Sequence, residues 1–153
     1  MENKQLLILS ALRENARLSL TEMSKKTNIP VSTIYDKMRS YHGKVIKKHT
    51  ALIDFSMLGY NTRAQVLLKV SKEERSDLQD FLFKTRNANS VFKINNGYDF
   101  MVEFIFKHIK ELEDFLETLE TKFDVKTQQT YYIIDDIKRE EFISNPKTVG
   151  YVS

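Results

Sequence analysis

The hydrophobic pattern of the chain changes near residue 60, and this change divides the chain into two differently built parts. Before it, apolar residues recur at helical spacing, as Ile34, Met38 and Tyr41 do at i, i+4 and i+7. After it, residues 63–70 alternate between apolar and polar, which is typical of a strand with one buried face. A chain of 153 residues has room for two small domains. We therefore predict a first domain over residues 1–54, a linker over 55–61, a second domain over 62–139 and a tail over 140–153.

The first part predicts three helices, two of which are joined by a tight turn. The first helix spans Lys4–Asn15. Ser19 followed by Glu22 is a capping-box signature, so a second helix begins there and ends near Thr27. Asn28 tolerates the positive φ of a tight turn, and the third helix begins after it and ends near Tyr41. This spacing predicts a helix-turn-helix unit.

A short basic hairpin is expected after the third helix, as the wing of a winged helix-turn-helix domain. Val45-Ile46 and Thr50–Ile53 are its two candidate strands. Residues 1–60 hold ten lysines and arginines against five acidic residues, whereas the whole chain has a net charge of +3. The positive charge is therefore concentrated in the first part, which favours a polyanionic partner there.

The second part reads as the order β-α-β-β-α-β, which predicts a ferredoxin-like domain and an α+β fold class for the whole chain. The expected strands are Arg63–Val70, Ser90–Ile94, Tyr98–Lys107 and Val125–Ile137, and the expected helices are Lys72–Arg86 and Ile109–Phe123. Asn95-Asn96-Gly97 predicts the hairpin turn between the second and third strands.

The third predicted strand carries apolar residues on both faces. Phe100, Val102 and Phe104 suit the helix-covered face, while Met101 and Ile105 flank Glu103 on the other. A sheet face open to water is ordinarily polar. We therefore predict that a second copy of the chain covers this face in a two-fold homodimer.

Several short motifs, in this order and spacing, resemble the Lrp/AsnC family, also called feast/famine regulators. They are Arg17-Leu18-Ser19, the stretch from Glu22 to Lys26, Val45-Ile46, the stretch from Thr50 to Ile53, Leu58-Gly59, Gly97-Tyr98-Asp99 and Thr130. The resemblance covers nearly the whole chain. It implies a cytoplasmic transcription regulator that binds double-stranded DNA as a homodimer, or as a higher assembly such as an octamer, and responds to an amino acid or similar small effector.

A recognition helix in the major groove would read bases with its outward side chains. With Ile34, Met38 and Tyr41 buried, the candidate reading residues are Ser32, Thr33, Tyr35, Lys37 and Arg39. The candidate phosphate contacts are Lys25, Lys26, Lys44, Lys47 and Lys48. Lysines on exposed helices are more often plain solvated surface, and only their coincidence with the helix-turn-helix spacing favours the functional reading.

The resemblance also implies an effector site, for which the candidates are Asn96, Gly97, Tyr98, Asp99 and Thr130. A carboxylate such as that of Asp99 could hold an ammonium group, and backbone N–H groups near Gly97 could hold a carboxylate. The same residues are those that a hairpin turn needs, so Asn96 and Gly97 have a purely structural explanation as well.

Two other functions stay open at this point. A nucleoid-type protein would bind DNA with little sequence preference, and some relatives with this two-domain layout act on a tetrapyrrole as sirohaem decarboxylases. The chain has no cysteine and shows no metal-ligand spacing, nucleophile elbow or phosphate loop. No apolar run approaches the roughly 18 residues of a membrane helix. We therefore expect a regulator rather than an enzyme, with no metal, cofactor or membrane partner.

Overall fold

The computed structural model describes residues 3–149 and forms two compact units. The first unit comprises the residues up to Leu52 together with those from Asp136 on, and the second spans Ile53–Asp135. The C-terminal segment thus belongs in space with the first unit, although it follows the second in sequence. No helix among residues 3–149 is long and apolar enough to cross a membrane.

Three helices build the first unit: α1 spans Asn3–Glu14, α2 spans Leu20–Thr27 and α3 spans Val31–Tyr41. Each contributes apolar residues at helical spacing to one shared core. The buried members of that core are Ile8, Leu9, Ala11, Leu12, Met23, Ile29, Ile34 and Tyr41. The three predicted helices are therefore present, with ends within one or two residues of those expected.

Local signals set both ends of α2. Ser19 Oγ accepts a hydrogen bond from the Glu22 amide at 3.1 Å, and the Ser19 amide donates to Glu22 Oε2 at 2.7 Å, which completes the capping box. At the other end Asn28 has φ 57 and its amide donates to the Ser24 carbonyl at 2.8 Å. Ile29 follows in the core, and Pro30 precedes α3. This turn positions α3 against α2 as the helix-turn-helix spacing predicts.

The two predicted strands of the wing hairpin do not form in the described residues. The only pairing in residues 42–54 is an isolated bridge between His42 and Ile46, closed by a hydrogen bond from the Gly43 amide to the Ile46 carbonyl at 2.9 Å. Residues 47–54 are all exposed. A two-stranded ribbon without a buried face is at best marginally stable in water, which explains why the two predicted segments do not pair as a ladder.

The second unit is a four-stranded antiparallel sheet in the order β2-β3-β1-β4, which is the ferredoxin-like topology. The strands are β1 (Thr62–Val70), β2 (Ala88–Lys93), β3 (Phe100–Phe106) and β4 (Val125–Tyr132). The helices are α4 (Arg75–Lys84) and α5 (Ile109–Lys122), with short 3-10 turns over Phe55–Leu58 and Lys72–Glu74. The predicted order of elements is thus confirmed.

Strand β4 ends five residues before the predicted limit of Ile137. Its register pairs Tyr132 with Ala64, and the Ile133 amide donates to the Arg63 carbonyl at 2.8 Å. Because β1 begins at Thr62, the chain beyond Ile134 has no strand to pair with. Ile137 is accordingly 97% exposed.

One face of the sheet packs against α4 and α5, and the other face carries no helix of this unit. The packed face supplies Ala64, Val66, Leu68, Phe100, Val102 and Phe104 to a core with Leu78, Leu82, Leu112, Leu116 and Leu119. The opposite face, here named the outer sheet face, carries Leu67, Phe92, Met101, Glu103 and Ile105 from the remaining alternate positions.

Candidate nucleic-acid interface

Helix α3 turns a polar surface away from the core of the first unit. Ile34 and Tyr41 are buried and Met38 packs against the same core. Ser32 and Arg39, which lie opposite this stripe, are exposed. The structure therefore places these two of the predicted reading residues on one accessible side of α3.

The remaining predicted reading residues flank that surface. Tyr35 is 49% exposed, and the Arg39 guanidinium lies 5.8 Å from the centre of its ring. This cation–π contact orients two side chains that can both reach a groove. Thr33 and Lys37 are half-buried on the other flank, so they are less accessible than Ser32 and Arg39.

The five predicted phosphate-contacting lysines are all exposed but come from two places. Lys25 and Lys26 lie in the last turn of α2, and Lys26 forms an ion pair with Glu14. Cations at a helix C-terminus also stabilise the helix dipole, so these two have a structural role independent of any partner. Lys44, Lys47 and Lys48 follow α3 in the exposed segment that lacks the predicted wing strands.

The capping box fixes the charge of the one acidic side chain in the first turn of α2. The hydrogen bond from the Ser19 amide, with the Ser19 side chain and Lys25 contributing further, holds the pKa of Glu22 below its ordinary value. Glu22 is therefore ionised at neutral pH, next to the positive N-terminus of α2.

The predicted effector residues divide into two groups in the single chain. Asn96 (φ 62) and Gly97 (φ 86) form the tight turn between β2 and β3, as the type I′ signature predicts. Thr130 pairs with Val66 on the far side of β1 from that turn. By strand geometry it lies about 10 Å along and about 10 Å across the sheet from Asp99. One chain therefore does not bring Thr130 and the turn together.

Asp99 already has partners for its carboxylate. Its Oδ1 lies 2.7 Å from Arg75 Nε, and its Oδ2 accepts a hydrogen bond from the Val70 amide at 2.9 Å. These contacts tie the β2–β3 turn to the end of β1 and the start of α4. The sequence reasoning missed Arg75, and its position at the beginning of a helix was the only local signal.

A second polar cluster on the outer sheet face was also missed. Glu103 is 6% exposed, accepts a hydrogen bond from Asn89 Nδ2 and lies 3.3 Å from Arg63 Nε. Its strand position was visible in the sequence, but its two partners come from other strands. Among residues 3–149 there is no group of three or more His, Cys, Asp and Glu side chains suited to a metal ion.

Comparison with known proteins agrees with this geometry. Residues 1–40 match a family described as winged helix-turn-helix DNA-binding. The HTH-type transcriptional regulator FL11 of Pyrococcus horikoshii is 34% identical over 113 residues, which is 73% of this chain and 75% of that protein. FL11 of Pyrococcus furiosus is 30% identical over 128 residues, covering 83% of this chain and 85% of that one.

Solved structures share the fold over most of the chain. A transcriptional regulator from Neisseria meningitidis in complex with L-Met superposes with a TM-score of 0.83 at 18% identity, covering 91% of this chain and 93% of that one. AsnC from E. coli superposes with a TM-score of 0.79 at 17% identity, covering 91% of this chain and 95% of that one.

The fold, the exposed face of α3 and these likenesses define a DNA-binding transcription regulator of the helix-turn-helix class. Within that class, its sheet domain and its similarity to the FL11 regulators identify the family. The chain belongs to the Lrp/AsnC family of transcriptional regulators.

Proposed function

We propose that this regulator reads a specific operator with α3 and holds the flanking phosphates with its lysines. Arg39 and Ser32 face away from the core and are the principal reading residues, with Tyr35, Thr33 and Lys37 at their flanks. Lys25, Lys26, Lys44, Lys47 and Lys48 supply the phosphate contacts. The observation that carries the proposal is the exposed Arg39–Tyr35 pair on the outward side of a helix fixed by a helix-turn-helix turn.

A homodimer formed through the outer sheet face completes the proposed reader. Phe92, Met101 and Leu67 are cross-strand neighbours and form an apolar row across three strands. At the next positions Glu103 is paired with Arg63, so this row is not bordered by an unpaired acid. A two-fold axis would place the row against its own copy, because a two-fold interface is self-complementary. Higher assembly, such as an octamer, stays a prediction.

Two half-sites follow from a dimer. Two copies of α3 related by a two-fold axis would meet half-sites about one helical turn apart, roughly 34–36 Å, or a multiple of that distance. This arrangement requires DNA in the same compartment, so the protein would act in the cytoplasm of its cell.

An amino acid is the proposed effector class. The structural neighbour from Neisseria meningitidis is a complex with L-Met. In this chain Asp99 is engaged by Arg75, so the backbone N–H groups of the turn at Asn96, Gly97 and Tyr98 are better placed to hold an effector carboxylate than Asp99 is to hold its ammonium. Thr130 would join the same site only from another copy of the chain.

Selection of bound sequences from random duplex DNA tests the proposed function. The affinity for the winning sequence is then compared with that for random duplex at two salt concentrations. A near-palindromic motif bound far more tightly than random DNA supports the dimeric regulator. A steep salt dependence without enrichment of any sequence would instead support the nucleoid reading.

A lack of DNA binding at either salt would favour small-molecule chemistry. The absorbance of the purified protein on addition of a tetrapyrrole then tests the decarboxylase alternative. We propose that the protein is not an enzyme, because the relatives that it matches are transcriptional regulators.

A further inference from the structure

The segment from Asp136 to Val149 folds back onto the DNA-binding unit as a series of closed turns. The Ser144 amide donates to the Glu141 carbonyl at 3.2 Å, and the Thr148 amide donates to the Asn145 carbonyl at 3.1 Å. The Ser144 hydroxyl donates to Glu141 Oε2 at 2.7 Å. Val149 is 2% exposed, so the segment ends buried rather than in solvent.

Arg13, at the end of α1, is the residue that holds this segment. Its Nε donates to the Phe142 carbonyl at 2.7 Å, and its Nη2 donates to the Glu140 carbonyl at 2.8 Å and to Glu140 Oε2 at 3.0 Å. Two of the three acceptors are backbone oxygens, so the guanidinium fixes the path of the chain and not merely one side chain. Charge-assisted bonds from a planar fork are among the stronger and more directional contacts available at a protein surface.

The backbone of the segment adopts conformations that L-residues rarely adopt. Glu140 has φ 54 and Ile143 has φ 52. A left-handed conformation is unfavourable for a β-branched residue such as isoleucine and persists only where surrounding contacts impose it. Arg13 engages the carbonyls of Glu140, the first of these two residues, and of Phe142, which directly precedes the second. The path of the backbone through residues 140–143 is therefore imposed by these contacts and not by the intrinsic preferences of its residues.

The fold gives this segment a connecting role. The chain leaves the first unit after Leu52, builds the sheet domain, and returns to the first unit at Asp136. The segment is covalently continuous with β4, and its residues Glu140 and Phe142 are held by Arg13 of α1. Two chain connections therefore join the DNA-binding unit to the sheet domain, whereas a single linker would leave that unit free to reorient.

We propose that residues 136–149, here named the latch, couple the sheet domain to the DNA-binding unit. Arg13 is the residue that holds the latch closed. In the dimer of the proposed function, on which this inference rests, a closed latch limits the orientations of each α3 and raises the effective concentration of the second α3 at its half-site. An open latch leaves each unit able to bind one half-site but uncouples the two.

Limited trypsin digestion of the full chain tests whether Arg13 holds the segment. Lys147 lies inside the latch, and cleavage after it is followed by mass spectrometry. The variant Arg13→Ala is expected to be cleaved there on the order of tenfold faster than the wild type, because opening is no longer opposed by the charge-assisted bonds. The control Arg17→Ala removes an exposed arginine nearby and is expected to match the wild type. Equal rates in the two variants would overturn the latch.

Arg13→Lys keeps the charge but not the fork, and it decides the matter if Arg13→Ala does not fold. It is expected to give an intermediate cleavage rate, since an ammonium group cannot reproduce the fork that spans Glu140 and Phe142.

DNA binding separates coupling from simple stability. Arg13→Ala is expected to lose on the order of tenfold in affinity for a duplex with two half-sites. It should keep the wild-type affinity for the same duplex with one half-site scrambled. Equal loss on both duplexes would show that Arg13 acts within one DNA-binding unit and does not couple the two α3 helices of the dimer. If the wild type itself did not prefer two half-sites, the proposed function and the coupling would both fail, whereas the trypsin result would still report whether the segment is docked.

Discussion

Arg39 is the residue on which the proposed base reading depends most. A bidentate contact from arginine to guanine is worth about 1–3 kcal/mol of discrimination. We expect Arg39→Ala to lower the affinity for the selected operator by on the order of ten- to a hundredfold. The double variant that adds Lys37→Ala should lose site-specific binding while remaining a dimer. The affinities of each variant for the operator and for random duplex are measured side by side. Their ratio reports how well the variant discriminates between sequences.

Lys25→Ala is the matched control for this experiment. Its side chain is exposed at the end of α2 and would meet phosphate. Loss of a phosphate contact weakens binding to all sequences about equally and reduces the salt dependence. If the double variant still selected the same operator, the outward side of α3 would not be the reading face.

Tyr132 offers a test of a single hydrogen bond in the sheet domain. Its hydroxyl donates to Glu113 Oε1 at 2.5 Å, which, with a smaller contribution from burial, raises the pKa of Tyr132 to about 12 from its ordinary 10.0. Because the neutral phenol is the form favoured in the folded state, this contribution to stability is complete below about pH 10. It is lost as the pH rises toward 12.

Titration of tyrosinate absorbance in the wild type and in Tyr132→Phe isolates this group. Glu113→Gln is expected to lower the pKa of Tyr132 toward its ordinary value. Tyr131→Phe serves as the control, since the neighbouring Tyr131 is 54% exposed and its hydroxyl bonds to Gln129 instead. If Tyr132 had the same pKa in the wild type and in Glu113→Gln, the hydrogen bond to Glu113 would not be the cause of the raised pKa.

At the scale of elements, the turn between α2 and α3 depends on the left-handed conformation of Asn28. An alanine at φ 57 is disfavoured, so Asn28→Ala is expected to destabilise the first unit by about 1 kcal/mol. Asn28→Gly removes the same side chain without that conformational cost and should be close to neutral. Urea unfolding of both variants makes the comparison. Equal stability of the two would mean that the turn does not depend on left-handed backbone.

The elements that could be predicted from the sequence are those defined by local signals. Ser19 and Glu22 define the start of α2, Asn28 its end, and the Asn96-Gly97 pair the β2–β3 turn, because each works within a few residues. The wing strands are predicted from their position after the third helix. That position does not determine whether a ribbon without a partner surface pairs.

Long-range partners were beyond sequence reasoning for a similar reason. The end of β4 depends on where β1 begins, about seventy residues earlier in the chain. Whether Asp99 is free for a ligand depends on Arg75, and the path of the tail depends on Arg13. The residue type was visible in each case, but the partner is determined by the fold. The outward residues of α3 could be predicted, because the spacing of buried residues within one helix determines which side chains point away from the core.

At the scale of the whole molecule, the outer sheet face carries the proposed self-association. Met101 lies at the centre of the apolar row, opposite Leu67 and Phe92. A lysine there would be buried without a partner against its two-fold copy, and unpaired buried charge is strongly unfavourable. Met101→Lys is therefore expected to sediment with the mass of one chain at micromolar concentration, and the wild type with the mass of two or a multiple of it.

Phe83→Lys is the matched control for that measurement. Phe83 lies on α4, on the helix-covered side of the sheet, and is 86% exposed, so a lysine there adds the same charge but leaves the outer sheet face intact. We expect this variant to keep the mass of the wild-type dimer. A dimer that survived Met101→Lys but dissociated with Phe83→Lys would move the interface from the sheet to α4. The spacing of the two α3 helices, and with it the half-site spacing expected from the outer sheet face, would then have to be derived from that other interface.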